Sequence, residues 1–141
     1  LFEIRKIEPE DYSAVLELSS QMGYSISKDG LANLSLLSTN PEHLILVALS
    51  SETLIGYLHA FKTLRITSKP FWEIGGLLVD ENLRRKGMGK ALIDAFLKEL
   101  PIGIEVRVRT NETRMGGIQF YTSMEFEIAK RQVVFKKESK T

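Results

Sequence analysis

The sequence contains no cysteine in 141 residues. That excludes disulfides, thiolate metal sites and a cysteine nucleophile, and it fits a reducing compartment. There is no excess of charge either: 19 Lys and Arg against 18 Asp and Glu leave a net +1. Nothing global therefore points to nucleic acid or to an anionic membrane surface. No apolar run approaches the roughly 20 residues of a membrane-spanning helix, and no segment reads as a signal peptide, so a cytoplasmic location is expected. Repeats, low-complexity stretches and linkers are absent too. Only two histidines occur, His43 and His59. They stand apart in strand-like runs without an H-x-x-x-H pair, so they read as packing or surface residues and no metal site is expected. No G-x-S-x-G elbow is present to carry a serine intermediate.

The composition that remains, 43% hydrophobic and 26% charged, suits one soluble domain over 1–141. "LFEIRKI" alternates as a strand. "PEDYSAVLELSSQMG" opens on Pro9 and stops at Gly23, a helix. "SKDGLANLSLLSTN" sets Leu31, Leu34 and Leu37 on one helical face. "HLILVALS" and "TLIGYLHAFKTL" form a hairpin across the polar "SSE". "FWEIGGLLVD" is a strand whose Gly75-Gly76 pair signals a bulge or a close backbone approach. A helix follows to about Leu100, stopped by Pro101, then the strand "IGIEVRVRT", a short helix in "NETRMGGIQFYTSM" and a final strand in "FEIAKRQVVFKKE". The order β-α-α-β-β-β-α-β-α-β predicts a mixed α+β or α/β single domain, with a central mixed sheet flanked by about four helices.

The stretch "LRRKGMGKAL", residues 83–92, stands out. It is not a Walker loop: Arg84 stands where the first glycine should be, and Ala91 follows Lys90. It is not a dinucleotide fingerprint, because the third glycine is replaced by Leu92. Its physics is nevertheless specific. A buried strand ends at Val79, and a helix begins near Gly87 with amides that lack internal acceptors. The helix dipole adds partial positive charge, and Arg84, Arg85 and Lys86 add full charges. Read alone, the stretch is either an anion cradle or a solvated basic connection between a strand and a helix.

The wider segment "EIGGLLVDENLRRKGMGKALIDAFL" resembles motif A of the GNAT superfamily, the acyl-CoA-dependent N-acetyltransferases. That motif is an apolar strand, a short acidic turn and [QR]-x-x-G-x-[GA] opening a helix, here Arg84-x-x-Gly87-x-Gly89. Downstream, Asn111, Phe120-Tyr121 and Glu125-Phe126 resemble the family's N…FY…GF pattern. The chain departs from it at Glu125, where glycine is usual. It departs also near Gly116-Gly117, where the usual small residue of the last helix falls.

The resemblance implies acetyl-CoA as the acyl donor. The pyrophosphate would lie on Arg84, Arg85, Lys86, Gly87, Met88, Gly89 and Lys90. The pantetheine arm would pair with Leu77, Leu78 and Val79 as an added strand. A strand rises roughly 3.3 Å per residue, so an extended arm would bring the thioester to the Gly75–Leu77 region, where a bulge would free an N–H for the carbonyl oxygen. By the same resemblance Glu73 is the candidate base, directly or through water, with Glu105 as runner-up. Tyr121 matches the family tyrosine that protonates the departing thiolate. Asn111 is either a cofactor contact or an N-cap.

The acceptor is expected to be an amine of a small molecule or of a peptide or protein. Tyr24, "GYSISKDG" and "LRITSKPF" would contribute to its site, and they announce no strongly charged acceptor. A second reading is a non-catalytic acyl-CoA sensor or regulatory module, which would tolerate loss of Glu73 and Tyr121. Nucleic-acid binding fits poorly, because no large basic face or recognition motif is present. Many relatives of this family dimerise through edge strands, so a homodimer is among the expected partners.

Overall fold

The computed structural model describes residues 2–83, 87–111, 113 and 115–140. It divides into two compact units, Leu1–Arg109 and Thr110–Thr141.

The first unit carries β1 (Glu3–Lys6), α1 (Tyr12–Gln21), α2 (Gly30–Ser38), β2 (His43–Ser50), β3 (Thr53–Thr63), β4 (Phe71–Val79), α3 (Met88–Lys98) and β5 (Glu105–Val108). The sheet has the order β1-β2-β3-β4-β5. Neighbouring strands from β1 to β4 run antiparallel to one another, and β5 runs parallel to β4.

Local chemistry explains the boundaries. A 3-10 turn over Pro9–Asp11 leads into α1, with proline where its fixed φ and missing N–H cost nothing. Asp11 accepts the Glu8 amide at 2.8 Å and both guanidinium nitrogens of Arg5, at 2.7 and 3.0 Å. This pair fastens β1 to the start of α1, and the Arg5 guanidinium holds the buried Asp11 carboxyl below its ordinary range. Gly23, at φ +94°, follows the end of α1. The β2–β3 turn places Ser51 at φ 47° and Glu52 at φ 68°, the paired left-handed geometry of a two-residue hairpin.

Both faces of the sheet are covered. On one, Ile45 and Val47 of β2 pack with Val15 of α1 and Leu34 of α2. Tyr57 of β3 closes that cluster, and its hydroxyl meets Ser19 Oγ at 2.7 Å. On the other lies α3, whose Leu92, Ile93 and Phe96 are fully buried. Met88, Leu92 and Phe96 repeat at helical spacing along the inner stripe, and the Phe96 ring meets Trp72 of β4 edge-on at 6.0 Å.

The second unit contains α4 (Met115–Ser123). Gly117 lies close against Thr110: a Cβ there would stand 2.7 Å from Thr110 Oγ1. The expected last strand is not formed. Residues 126–140 are assigned no strand, and Ile128, Val133, Val134 and Phe135 are exposed. An alternating pattern marks which face a strand would bury, but a strand forms only where a neighbour's ladder takes its amides and carbonyls. The strand expected at "IGIEVRVRT" also shortens to four residues, for the same reason: β4 offers it rungs only from Phe71 to Ile74.

Candidate active site

The site is built on β4, whose two edges are treated differently. Towards β3 the pairing runs the full length, from Thr63↔Phe71 to Gly56↔Val79. Towards β5 it stops at Ile74↔Val108. From Gly75 to Val79 the outer edge of β4 carries no strand among the described residues, so its backbone groups are open to a ligand that can pair like a strand.

The point where β5 departs is also the point where β4 bulges. His59 pairs with Gly76 and Ala60 with Ile74, which leaves Gly75 as the extra residue. A bulge leaves that residue's amide out of the ladder. Glycine is needed because a Cβ at Gly75 would lie 2.7 Å from Phe61 Cε1. Gly75 itself is exposed.

Glu73 lies two residues before the bulge, opposite Phe61. Its side chain is 12% exposed, and both carboxylate oxygens stand 3.2 Å from Arg109 Nε. This bridge fixes the carboxylate's direction. On the same face Arg107 lies over the Phe71 ring, 3.8 Å from its centroid. Glu105 is bonded to Arg107 Nε on β5 and is engaged there.

Beyond β4 the chain passes a 3-10 turn at Glu81–Leu83 and reaches α3. Arg84, Arg85 and Lys86 lie outside the described residues. Gly87 caps the helix at φ +81°, and among the described residues nothing lies within 4 Å of a Cβ position there. The first helical bond is Ala91 N–H to Gly87 carbonyl, at 2.9 Å. The amides of Met88, Gly89 and Lys90 therefore have no acceptor within the helix. Met88's side chain is in the core, and Lys90 is paired with Asp94 at 3.0 Å. Their contribution to an anion would come chiefly from the backbone and the dipole.

In the second unit Tyr121 packs edge-on between Phe120, 5.0 Å away, and Phe126, 5.6 Å away. Burial raises its pKa above the ordinary tyrosine value. Asn111 Oδ1 accepts the Thr113 amide and hydroxyl, at 3.0 and 2.8 Å, so it shapes the turn ahead of α4.

Two features escaped sequence reasoning. One is Arg109 as partner of Glu73. The other is that His43 and His59 meet: Nδ1 of His43 and Nε2 of His59 are 2.9 Å apart, and the rings stack with centroids at 5.2 Å. Burial, and secondarily His43, push the His59 pKa down to about 4. Among the described residues no group of three or more His, Asp or Glu side chains is placed to hold a metal ion, and no helix is long and apolar enough to cross a membrane.

A five-stranded mixed sheet that opens beside a bulge and leads into a glycine-capped helix defines an acetyltransferase fold. The chain belongs to the GNAT acetyltransferase family, whose model matches residues 2–126. No curated protein matches the sequence. Solved structures share its architecture. One is the aminoglycoside antibiotic 6'-N-acetyltransferase AAC(6')-Ih of Acinetobacter baumannii, with TM-score 0.86 and 19% identity over 99% of this chain and 100% of that one. Another is AAC(6')-Iy bound to the bisubstrate analogue CoA-S-monomethyl-acetylneamine, with TM-score 0.86 and 18% identity over 99% of each chain. A third is an aminoglycoside acetyltransferase from an uncultured soil metagenomic sample, bound to sisomicin. It has TM-score 0.74 and 25% identity over 99% of this chain and 97% of that one.

Proposed function

We propose that the protein transfers an acetyl group from acetyl-CoA directly to a primary amine, with both units acting as one acetyltransferase domain. The observation that carries this reading is the edge of β4 from Gly75 to Val79, which no strand covers among the described residues, leading towards a helix start whose amides at Met88 to Lys90 lack an acceptor within the helix. Leu77, Leu78 and Val79 would pair with the amides of the pantetheine arm. The α3 amides and dipole, with Arg84, Arg85 and Lys86, would hold the pyrophosphate. The Gly75 amide, freed by the bulge, would donate to the carbonyl oxygen as negative charge develops there.

Glu73 is the proposed acceptor of the first proton from the incoming ammonium, which is protonated at neutral pH with a pKa of about 10.4 for a lysine-like amine. Arg109 keeps the carboxylate oriented. Tyr121 is the proposed acid for the departing thiolate. An ordinary tyrosine is already protonated at neutral pH, the form an acid must have, and burial shifts Tyr121 further in that direction. The chain's likeness to aminoglycoside acetyltransferases supports a polyamine-like acceptor as the first class to try.

The test is release of CoA thiol with sisomicin and a panel of simpler primary amines. The reading expects turnover that falls about a hundred-fold or more in Glu73→Gln and in Tyr121→Phe. Acetyl-CoA binding without turnover of any amine, and indifference to both substitutions, would point instead to an acyl-CoA sensor.

A further inference from the structure

The two histidines lie on the face of the sheet that carries Glu73. His43 pairs with Phe61, His59 with Ile45, and Phe61 in turn with Glu73. His59 sits directly opposite the bulge, paired with Gly76, and its Nδ1 lies 3.7 Å from the position a Gly75 Cβ would take. Its other nitrogen, Nε2, is engaged with His43. Among the described residues Nδ1 has no hydrogen-bond partner. One imidazole nitrogen thus looks at the bulge and the other is bonded to a second imidazole. His43 in turn lines a surface cleft with Lys6, Ser38, Asn40 and Glu99.

This arrangement depends on a slip in the hairpin. Next to the turn Leu49 pairs with Leu54, but Ala48 pairs with Gly56, so Ile55 is extra. A shift of one residue turns every later side chain to the opposite face. Without it His43 and His59 would lie on opposite sides of the sheet.

We propose that His59, backed by His43, accepts the second proton of the amine as the carbon–nitrogen bond forms. The proposal rests on acetyl transfer taking place at the bulge. The amine lone pair bonds to the thioester carbon, and the carbonyl π pair moves to oxygen. The nitrogen, now cationic, gives a proton to His59 Nδ1. The proton on His59 Nε2 passes to His43 Nδ1, and the cleft offers its exit. The oxygen pair then returns and the carbon–sulfur bond breaks. The sulfur leaves with that bond's pair and takes a proton from Tyr121, which is restored from solvent. The ammonium loses two protons, to Glu73 and to His59; the sulfur takes up one; the net release is one.

Chemistry suits the role. A histidine pushed down to about 4 is neutral at working pH, so its lone pair is available. Such a weak base removes only a proton made acidic by bond formation, which is the one present at that step. The ionisable groups around the pair are few. Among the described residues they include Tyr57 on β3, Glu73 with its partner Arg109, Tyr12 of α1, whose hydroxyl meets Ser38 at the cleft, and Lys6 and Glu99 at the cleft. No ionisable residue occurs in α2, and Glu17 of α1 is exposed.

The test uses the full chain with isotope-labelled histidine, alongside His59→Gln and His43→Gln. Nitrogen-detected NMR of the wild type should find His59 bare at Nδ1 and protonated at Nε2 at neutral pH. With sisomicin, or whichever amine the wild type acetylates, His59→Gln should lower kcat by about a hundred-fold. It should change the pH profile of kcat and leave acetyl-CoA affinity, read by calorimetry, within a few-fold. His43→Gln should give a smaller fall in kcat. A proton found on His59 Nδ1, or wild-type kcat and pH profile in His59→Gln, would overturn the proposal while leaving acetyl transfer intact. A wild type that binds no acetyl-CoA would overturn the transferase reading, and the proposal with it.

Discussion

The amide of Phe126 donates to the carbonyl of Tyr121 at 3.0 Å, and the two rings meet edge-on at 5.6 Å. With the Glu125 amide bonded to the Thr122 carbonyl at 3.1 Å, this is a Schellman closure of α4. It fixes the backbone that carries the proposed acid. The closure requires a left-handed residue between Met124 and Phe126, and Glu125 fills that place at φ 68°. A side chain there is strained where glycine is not. Glu125→Gly should therefore stabilise the protein by about 1 kcal/mol, read as a higher midpoint in urea. An unchanged or lower midpoint would show that the Glu125 side chain has a compensating role.

Acid should weaken the fold in two separate windows. His59 has its pKa lowered to about 4 from an ordinary 6.5, so below 6.5 the unfolded chain takes up a proton that the native chain resists. Its contribution is complete above 6.5 and is lost as the pH falls towards 4. Asp11 is also lowered, chiefly by its bonds to Arg5, from an ordinary 3.8. Its contribution is present above 3.8 and is lost only below that value. Denaturation midpoints measured against pH should show both losses. In His59→Gln the upper one should disappear and the lower one remain. Persistence of the upper loss in that variant would assign it to another group.

The glycines of β3 and β4 should not be interchangeable with alanine. At Gly56 a Cβ would meet the Leu78 carbonyl oxygen at 2.9 Å, and backbone cannot move aside cheaply. At Gly75 it would meet the Phe61 ring at 2.7 Å, beside the proposed carbonyl site. At Gly76 the nearest atom is Tyr57 Cε1 at 4.0 Å. Gly56→Ala should cost on the order of 1–3 kcal/mol of overpacking strain. Gly76→Ala should be nearly neutral by the same denaturation assay. Gly75→Ala should lower turnover more than it lowers stability. Equal effects at all three positions would mean that the close approaches do not constrain the strand.

Much of this was legible in the residues. The apolar run "FWEIGGLLVD" with its glycine pair announced β4 and its bulge, and "RRKGMGKAL" announced the start of α3. The glycine position at Glu125 showed as a departure in the sequence, and its left-handed φ gives the physical reason that glycine is usual there. The histidine pair was not legible, because the face that each ring takes is decided by one extra residue, Ile55, inside a run that reads as regular alternation. Arg109 was missed because its partner Glu73 lies on another strand, 36 residues away. The alternation after Phe126 promised a strand, but alternation does not supply the neighbour whose ladder a strand needs.

The account stands on acetyl-CoA lying along β4 with its pyrophosphate at the start of α3. The most direct measurement is calorimetric titration of acetyl-CoA into the wild type, Gly87→Ala and Gly87→Glu. Both variants share the strain of a left-handed side chain at φ +81°, so their difference isolates charge and bulk at the proposed pyrophosphate site. The account predicts saturable binding by the wild type, retained within a few-fold in Gly87→Ala and lost in folded Gly87→Glu. Absence of binding by the wild type, or equal binding by Gly87→Glu, would contradict it.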